Sequence, residues 1–248
     1  MTRDDFAALH TKDAPLVLFN IWDAGSAQAV AKAGAKVIAT GSASLAGALG
    51  YEDGEAIGID ELLTMVRRIS ASIPLPLSVD FETGFASDLH GLSANAAALY
   101  EAGAIGCNLE DRLLDGSGLR AVEEQAARIK TVAAAGLFVN ARTDTFLAEL
   151  MAGKDPNRTE LIDEALERAH AYCETGAGSF FVPGLSDPAL ILQVCEASPI
   201  PVNVMRLPGM VSNGELANLG VARISYGPGP WRAAMASVES EAREALGQ

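Results

Sequence analysis

The chain has 248 residues, of which 49% are hydrophobic, 20% charged and 6% aromatic, a composition that fits one folded domain with a substantial core and excludes a disordered segment or a coiled coil. Eighteen Lys and Arg against 32 Asp and Glu leave a net charge of −14, which repels phosphate backbones and anionic lipid and argues against nucleic-acid and membrane partners. No apolar run approaches the roughly 20 residues of a membrane span, and the opening MTRDDFAALH lacks the apolar stretch of a secretory signal, so a cytoplasmic protein is expected.

Eight short apolar runs follow one another along the chain: Leu16–Asn20, Val37–Thr40, Leu75–Asp80, Ile105–Leu109, Leu137–Ala141, Ser179–Val182, Pro201–Met205 and Ala222–Ser225. Ala-rich or amphipathic stretches separate them. In Leu161–Tyr172, for example, Leu161, Ala165, Ala169 and Tyr172 recur at helical spacing. A helix-stopping glycine precedes the next strand at Ala33-Gly34, Ala102-Gly103, Ala135-Gly136 and Thr175-Gly176. Eight strand–helix units in a chain of this length predict a single-domain (β/α)8 TIM barrel spanning residues 1–248. A doubly wound open sheet is the alternative, but no GxGxxG follows the first strand and no GxxxxGK[ST] occurs. Gly153–Thr159 reads as a polar loop within the fifth unit.

In such a barrel the C-terminal ends of the strands build the active site, and polar residues concentrate there. Asn20, Trp22 and Asp23 follow the first strand, and Thr40, Gly41 and Ser42 the second. Asp80 and Glu82 follow the third, and Asn108, Glu110 and Asp111 the fourth. Arg142 and Asp144 end the fifth, Asn203 lies in the seventh and Ser225 closes the eighth. Asp80, Glu82 and Glu110 bring three carboxylates from adjacent strands together, a costly cluster without a cation. Hard oxygen ligands with no His or Cys nearby favour Mg²⁺ or Mn²⁺. Arg142 places a permanent cation beside them, suited to a substrate carboxylate or to developing oxyanion charge; the bland alternative is an ion pair with Asp144 or Asp111. Thr40-Gly41-Ser42 offers hydroxyls and amides as a carboxylate cradle.

Other chemistries lack support. Cys107, Cys173 and Cys195 are widely separated in apolar surroundings, which excludes a disulfide framework. His10, His90 and His170 are scattered, and none of Lys12, Lys32, Lys36, Lys130 and Lys154 follows a strand where a Schiff-base amine would sit. The Gly-rich Val182-Pro183-Gly184 and Tyr226-Gly227-Pro228-Gly229-Pro230 read as turns rather than phosphate loops, because each proline removes a donor N–H.

The segments Asn20-Ile21-Trp22-Asp23, Thr40-Gly41-Ser42, Leu49-Gly50-Tyr51-Glu52-Asp53-Gly54, Val79-Asp80-Phe81-Glu82-Thr83-Gly84-Phe85, Asn108-Leu109-Glu110-Asp111 and Asn140-Ala141-Arg142-Thr143-Asp144 resemble the isocitrate lyase/phosphoenolpyruvate mutase superfamily. The resemblance runs from the first strand to about residue 235. It implies a (β/α)8 barrel, assembled as a homodimer or homotetramer, that binds Mg²⁺ and a 2-oxo acid or its enolate. By this likeness Asp80 ligates Mg²⁺, with Asp53, Glu82 and Glu110 acting directly or through water. Thr40, Gly41 and Ser42 would hold the substrate carboxylate beside Trp22 and Asn203, and Arg142 would face the substrate. Arg142, Glu110 and Asp53 would form the catalytic set.

The chain also departs from the superfamily's defined branches. Where the lyases carry Lys-Lys-Cys-Gly-His after the Glu-Asp pair, this sequence has Arg112-Leu113-Leu114-Asp115-Gly116-Ser117-Gly118-Leu119-Arg120. It also lacks the Lys, the loop Asn and the His after strand six of the phosphonate-cleaving members. The expected function is Mg²⁺-dependent cleavage of a C–C bond beside a 2-oxo carboxylate, as a lyase, decarboxylase or acyl-hydrolase. Phosphonopyruvate-type P–C chemistry and non-enzymatic 2-oxo-acid binding are the rivals.

Overall fold

The computed structural model describes residues 1–247. In chain order the elements are α1 (Arg3–Ala7), β1 (Leu16–Leu18), α2 (Ala24–Lys32), β2 (Ile38–Ala39), α3 (Ser42–Leu49), α4 (Ile59–Ser72), β3 (Leu77–Asp80), α5 (Leu89–Glu101), β4 (Ala104–Glu110), α6 (Val122–Ala134), β5 (Phe138–Arg142), α7 (Thr145–Met151), α8 (Glu160–Glu174), β6 (Ala177–Phe181), α9 (Pro188–Ala197), β7 (Val202–Met205), α10 (Asn213–Asn218), β8 (Arg223–Ser225) and α11 (Gly229–Ala245). All eight expected strands form. They lie parallel in one sheet ordered β1-β8-β7-β6-β5-β4-β3-β2, the architecture of a (β/α)8 barrel. β1 and β2 share no ladder. They meet just beyond β1, where Ile21 N–H donates to Ala39 O (2.8 Å) and Gly41 N–H to Ile21 O (3.1 Å). The barrel therefore closes at its C-terminal rim, and that rim carries the polar residues.

The opposite end is plugged. The short helix α1, which the strand–helix rhythm does not anticipate, is capped by Thr2 and Asp5. It inserts Phe6 edge-on against Phe138 (centroids 5.0 Å apart), while His10 stacks on the same ring at 4.6 Å. These rings join Leu16, Leu18, Val37 and Ala39 in a lower apolar layer. Burial there pushes the His10 imidazole down to about 3, so it sits neutral. The larger core lies between strands and helices and includes Val66, Ile69, Leu92, Ile129, Ile162 and Ile191.

Above the plug, the barrel interior is polar. Asn140 Nδ2 donates to Asn108 Oδ1 (2.8 Å), Ser179 Oγ to Asn140 Oδ1 (2.6 Å), and Asn203 Nδ2 to Ser225 Oγ (3.2 Å). Outside, α11 leaves the barrel: Pro230 is its buried residue, and Met235 to Ala245 are exposed. The outer face of β1 and the residue just after it, with Val17 and Phe19 at 41% and 47% exposure, consequently front an open apolar groove shared with Ala29 and Val30 of α2 and with Ala33 at its end. Among the described residues no helix is long and apolar enough to cross a membrane.

The glycine stops behave as their positions demand, with φ of +95° at Gly34 and +107° at Gly103. A Cβ on Gly34 would meet nothing within 4 Å, whereas one on Gly103 would stand 2.2 Å from Ser70 Oγ. Gly34→Ala should therefore cost only the left-handed backbone penalty of about 1–2 kcal/mol. Gly103→Ala should cost distinctly more, read as the difference between the two variants in urea unfolding; equal losses would show that α4 yields freely to the added methyl.

Candidate functional site

A cavity of about 440 Å³ opens at the C-terminal rim, lined in part by Asn20, Gly41, Ser42, Asp53, Asp80, Asn108 and Arg142. Asp80 ends β3, and the turn after β2 wraps around it. Asp80 N–H donates to Thr40 Oγ1 (2.8 Å), Ser42 N–H donates to Asp80 Oδ2 (3.1 Å), and Asn108 Nδ2 approaches Asp80 Oδ1 at 3.5 Å. The amides of the Thr40-Gly41-Ser42 turn are thus already engaged, Gly41 in closing the barrel and Ser42 on Asp80. The turn orients a carboxylate of the protein itself instead of presenting free amides. Asn20 ties three strand ends together, donating to Thr40 O (2.7 Å) and accepting from the amides of Tyr226 and Gly227 (both 2.9 Å).

Asp53 reaches the cavity from the loop between α3 and α4, which is clamped to the loop after β3. Glu55 N–H donates to Glu82 Oε2 (2.7 Å). In return Glu55 Oε1 accepts from Thr83 Oγ1 (2.6 Å), Thr83 N–H (2.9 Å) and Phe85 N–H (3.0 Å). Among the described residues, the non-glycines with left-handed backbone are Glu55 (φ 64°), Glu82 (φ 48°) and Phe85 (φ 56°). All three belong to this clamp, which α6 braces from outside through Arg128 Nη2 on Thr83 O (2.7 Å) and Ala86 O (2.9 Å). Such conformations cost on the order of 1–3 kcal/mol each and persist only where neighbours enforce them.

The charges are unevenly matched. Arg142 is gripped twice by Asp144, through Nε to Oδ1 (2.6 Å) and Nη2 to Oδ2 (2.9 Å), and its Nη1 pairs with Glu110 Oε2 at 2.6 Å. Arg112 Nε holds the other Glu110 oxygen at 3.0 Å. Asp144 is fixed in turn by its N–H on Asp111 (3.0 Å), and Asp111 is held by Tyr172 Oη (2.8 Å) and Arg168 Nη1 (3.2 Å) from α8. Burial, reinforced by Asp80, Asp53 and Glu110, pushes the Glu82 carboxyl up to about 9. Burial and then Asp80 likewise raise Asp53. Burial also raises Glu110, against the opposing pull of Arg142.

Of the residues expected at the site, Gly41, Ser42, Asp53, Asp80 and Arg142 line the cavity. The anticipated metal triad of Asp80, Glu82 and Glu110 does not close around one point, and among the described residues no group of three His, Cys, Asp or Glu side chains is arranged to hold a metal ion. Of the three, only Asp80 lines the cavity; Glu82 turns to the Glu55 amide and Glu110 to its two arginines. Thr40 lies behind Asp80, buried at 2% exposure. Trp22 packs on the core beside α2, its N–H on Ser26 Oγ. Asn203 is buried against Ser225 below the opening.

The sequence reading passed over three features. Glu55 gives no signal, because the backbone that makes it a clamp is not written in residue type. Arg223 does give one, as the charged residue in the apolar run Ala222–Ser225. It is 1% exposed inside the barrel, donating to Asn108 Oδ1 (3.1 Å) and Ser78 Oγ (3.4 Å) without a carboxylate in ion-pair range among the described residues. The third is a group of apolar side chains in the same lining, Leu147, Leu150, Met151, Phe181 and Pro183.

With this geometry in place, comparison with known proteins is decisive. A family model described as phosphoenolpyruvate phosphomutase matches residues 6–246. The chain belongs to this family, within the isocitrate lyase/phosphoenolpyruvate mutase superfamily. The 2-methylisocitrate lyase of Escherichia coli is 31% identical over 205 residues, covering 79% of this chain and 67% of the lyase. An uncharacterized protein of Mycobacterium tuberculosis is 31% identical over 242 residues, 96% of this chain and 87% of its own length. Among solved structures, a Burkholderia cenocepacia J2315 protein provisionally described as a phosphonomutase superposes with a TM-score of 0.92 at 43% identity, covering 98% and 99% of the two chains. Phosphonopyruvate hydrolase in complex with oxalate and Mg²⁺ shares the fold, with a TM-score of 0.84 at 23% identity over all of this chain and 88% of the hydrolase.

The raised Glu82 carboxyl has a stability consequence. Its ordinary value is 4.5 and its folded value about 9, so between those pH values the folded state binds the proton more tightly than the unfolded chain. Stability of the metal-free protein must then fall as pH rises through that window. Glu82→Gln should make the decline shallower, by at most about 1.4 kcal/mol per pH unit. Chemical denaturation between pH 5 and 9 measures it; an unchanged slope would mean that Glu82 is ionised in the fold.

Proposed function

We propose that this protein is a Mg²⁺-dependent carbon–carbon lyase, of the lyase, decarboxylase or acyl-hydrolase type, acting on a 2-oxo carboxylate through an enolate. The observation that carries this reading is the pair Asp80 and Asp53 facing one cavity beside Arg142, with the buried carboxyls of Glu82 and Glu110 behind them. Family membership and the likeness to a 2-methylisocitrate lyase support it.

The donor set suits Mg²⁺, with Mn²⁺ as a substitute. Mg²⁺ is commonly held by one or two carboxylates while keeping several waters, so a single cavity-facing ligand, Asp80, is compatible with it, whereas a structural zinc site would need a closed set. Asp80 would hold the ion directly, and Asp53, Glu82 and Glu110 would hold its waters. When bound, the ion supplies Lewis-acid polarisation of the 2-oxo group and its carboxylate.

The chain's own residues do the rest. Arg142, held in place by Asp144 and Glu110, would present fixed positive charge to the enolate oxygen that cleavage leaves. Asp53, its carboxyl raised by burial and by Asp80, is suited to hold a proton at the cavity mouth. Cys107 is wholly buried in β4, with its thiol pushed up by burial, so it is no substitute for a loop cysteine. Phosphonate cleavage has less support, because neither Lys nor His lines the cavity. A homodimer or homotetramer is the assembly we propose. The exposed Met235 and Val238 of α11 and the open groove beside Val17 and Phe19 support a second copy covering both.

Calorimetry with Mg²⁺ and then oxalate tests the site. Asp80→Ala should lose Mg²⁺ binding, and Arg142→Lys should weaken oxalate at least tenfold, since the ammonium keeps the charge but cannot span Asp144 and Glu110, so that the charge is no longer fixed at the cavity. With Mg²⁺, a panel of oxaloacetate, substituted 2-oxo acids, phosphonopyruvate and 2-methylisocitrate should yield turnover of a 2-oxo acid and none of 2-methylisocitrate. Undiminished Mg²⁺ affinity in Asp80→Ala, or cleavage of phosphonopyruvate alone, would refute the assignment.

A further inference from the structure

We infer that Arg223, buried beneath Asp80, is the counter-charge of the site: it weakens the hold of the rim on a bare divalent cation and strengthens its hold on the anionic ligand that joins the ion. The inference rests on the head-group reading above and adds a positioning residue to it. Arg223 and Ser225 share the inward face of β8, two residues apart, while Ile224 between them belongs to the core outside the sheet. Ser225 lines the cavity and Arg223 does not, so the arginine lies one layer below the floor. From there it reaches across the barrel to β3 and β4, where Nη2 donates to Ser78 Oγ (3.4 Å) and Asn108 Oδ1 (3.1 Å). Asp80 stands two residues beyond Ser78 on the same face of β3, and Asn108 Nδ2 approaches its Oδ1 at 3.5 Å. One side-chain amide therefore separates the guanidinium from the carboxylate assigned to the ion.

Hydrogen bonding does not account for the residue. Its Nε and Nη1 are buried without an acceptor among the described residues, and Asn140 Nδ2 already fixes Asn108 Oδ1 at 2.8 Å. The aromatic plug offers it no negative charge, since Phe6 and Phe138 are joined there by a neutral His10. A buried charge with idle donors and no ion-pair partner weakens a fold; what it supplies to the site is its field. Two unit charges about 10 Å apart in a medium of effective dielectric about 20 alter each other's equilibria roughly tenfold. Toward Mg²⁺ that field is repulsive, and toward oxalate, a 2-oxo acid or an enolate it is attractive. Arg142 shares its charge with Glu110 and Asp144, whereas that of Arg223 is met by amide and hydroxyl oxygens alone among the described residues.

Calorimetry with Mg²⁺ alone, and then with oxalate at saturating Mg²⁺, tests this on two variants. Arg223→Met removes the charge and the donors at similar bulk; Arg223→Gln removes the charge but keeps an amide donor. Both should bind Mg²⁺ more tightly, and oxalate more weakly, each by about tenfold. Neither should unfold at lower urea than the unsubstituted protein, because an unpaired buried charge has gone. A merely structural role cannot move the two affinities in opposite directions. If both affinities fall together, or if Arg223→Gln restores what Arg223→Met loses, the arginine serves to orient Asn108 or to support the fold, and the inference is overturned. If neither affinity changes in either variant, it is overturned as well, with the head-group reading intact. If the unsubstituted protein binds no oxalate beside Mg²⁺, the head-group reading falls and takes this inference with it.

Discussion

Carboxylates crowd the rim of this barrel more closely than their own electrostatics favour. Asp80, Asp53 and Glu110 all raise the affinity of Glu82 for a proton, Asp80 also raises that of Asp53, and Arg142, which lines the cavity beside them, is divided between Glu110 and Asp144. Burial alone would favour their protonation or their dispersal to solvent. They stay because the backbone leaves them nowhere else to go. The Glu55–Glu82 clamp holds two loops in left-handed geometry that no side chain prefers, and α6 braces it through Arg128. Strain and like-charge repulsion thus sit at one point of the molecule, the pattern expected of a site built to receive a cation.

The rest of the fold protects that arrangement. The aromatic plug of Phe6, His10 and Phe138 seals the N-terminal end, leaving one mouth. Between plug and mouth, the asparagine and serine network fixes the amides from below. Asn108 accepts from both Asn140 and Arg223, which directs its own Nδ2 toward Asp80. Among the described residues Arg223 has no ion-pair partner, so its positive charge acts on Asp80 through the barrel interior, and burial draws its own value down to about 9. From outside, Tyr172 and Arg168 of α8 hold Asp111, Asp111 holds the Asp144 amide and Asp144 holds Arg142. Arg142 is therefore set by residues up to three contacts away from it.

Much of this was legible in the sequence, and the reasons are physical. Strands buried on both faces must read as apolar runs, so all eight appeared, and glycine is the residue that ends a helix in left-handed geometry, so the four stops appeared with them. Charged residues at the ends of such runs have no packing reason to be there, which is why Asp80, Glu110 and Arg142 stood out. Contact direction was not legible. A carboxylate at a strand end points to a metal, an arginine or an amide according to backbone torsions that residue type does not encode, so Glu82 and Glu110 turned away from the shared point expected of them. Glu55 and the apolar side chains of α7 went unread for a related reason: one depends on a φ of 64°, the other on which face of a short helix meets the cavity.

The central proposal is that the rim around Asp80 receives a cation, and that the Glu82 carboxyl beside it holds a proton until the ion arrives. Proton release on Mg²⁺ binding measures this most directly, by calorimetry at pH 7.5 in buffers of different ionisation enthalpy. The folded Glu82 carboxyl, raised to about 9, holds its proton at that pH and must yield it when a divalent charge enters. Close to one proton released per Mg²⁺ bound is the expected result. Stoichiometric Mg²⁺ binding with no proton release would show that the carboxylates are already ionised and balanced, and would contradict the account.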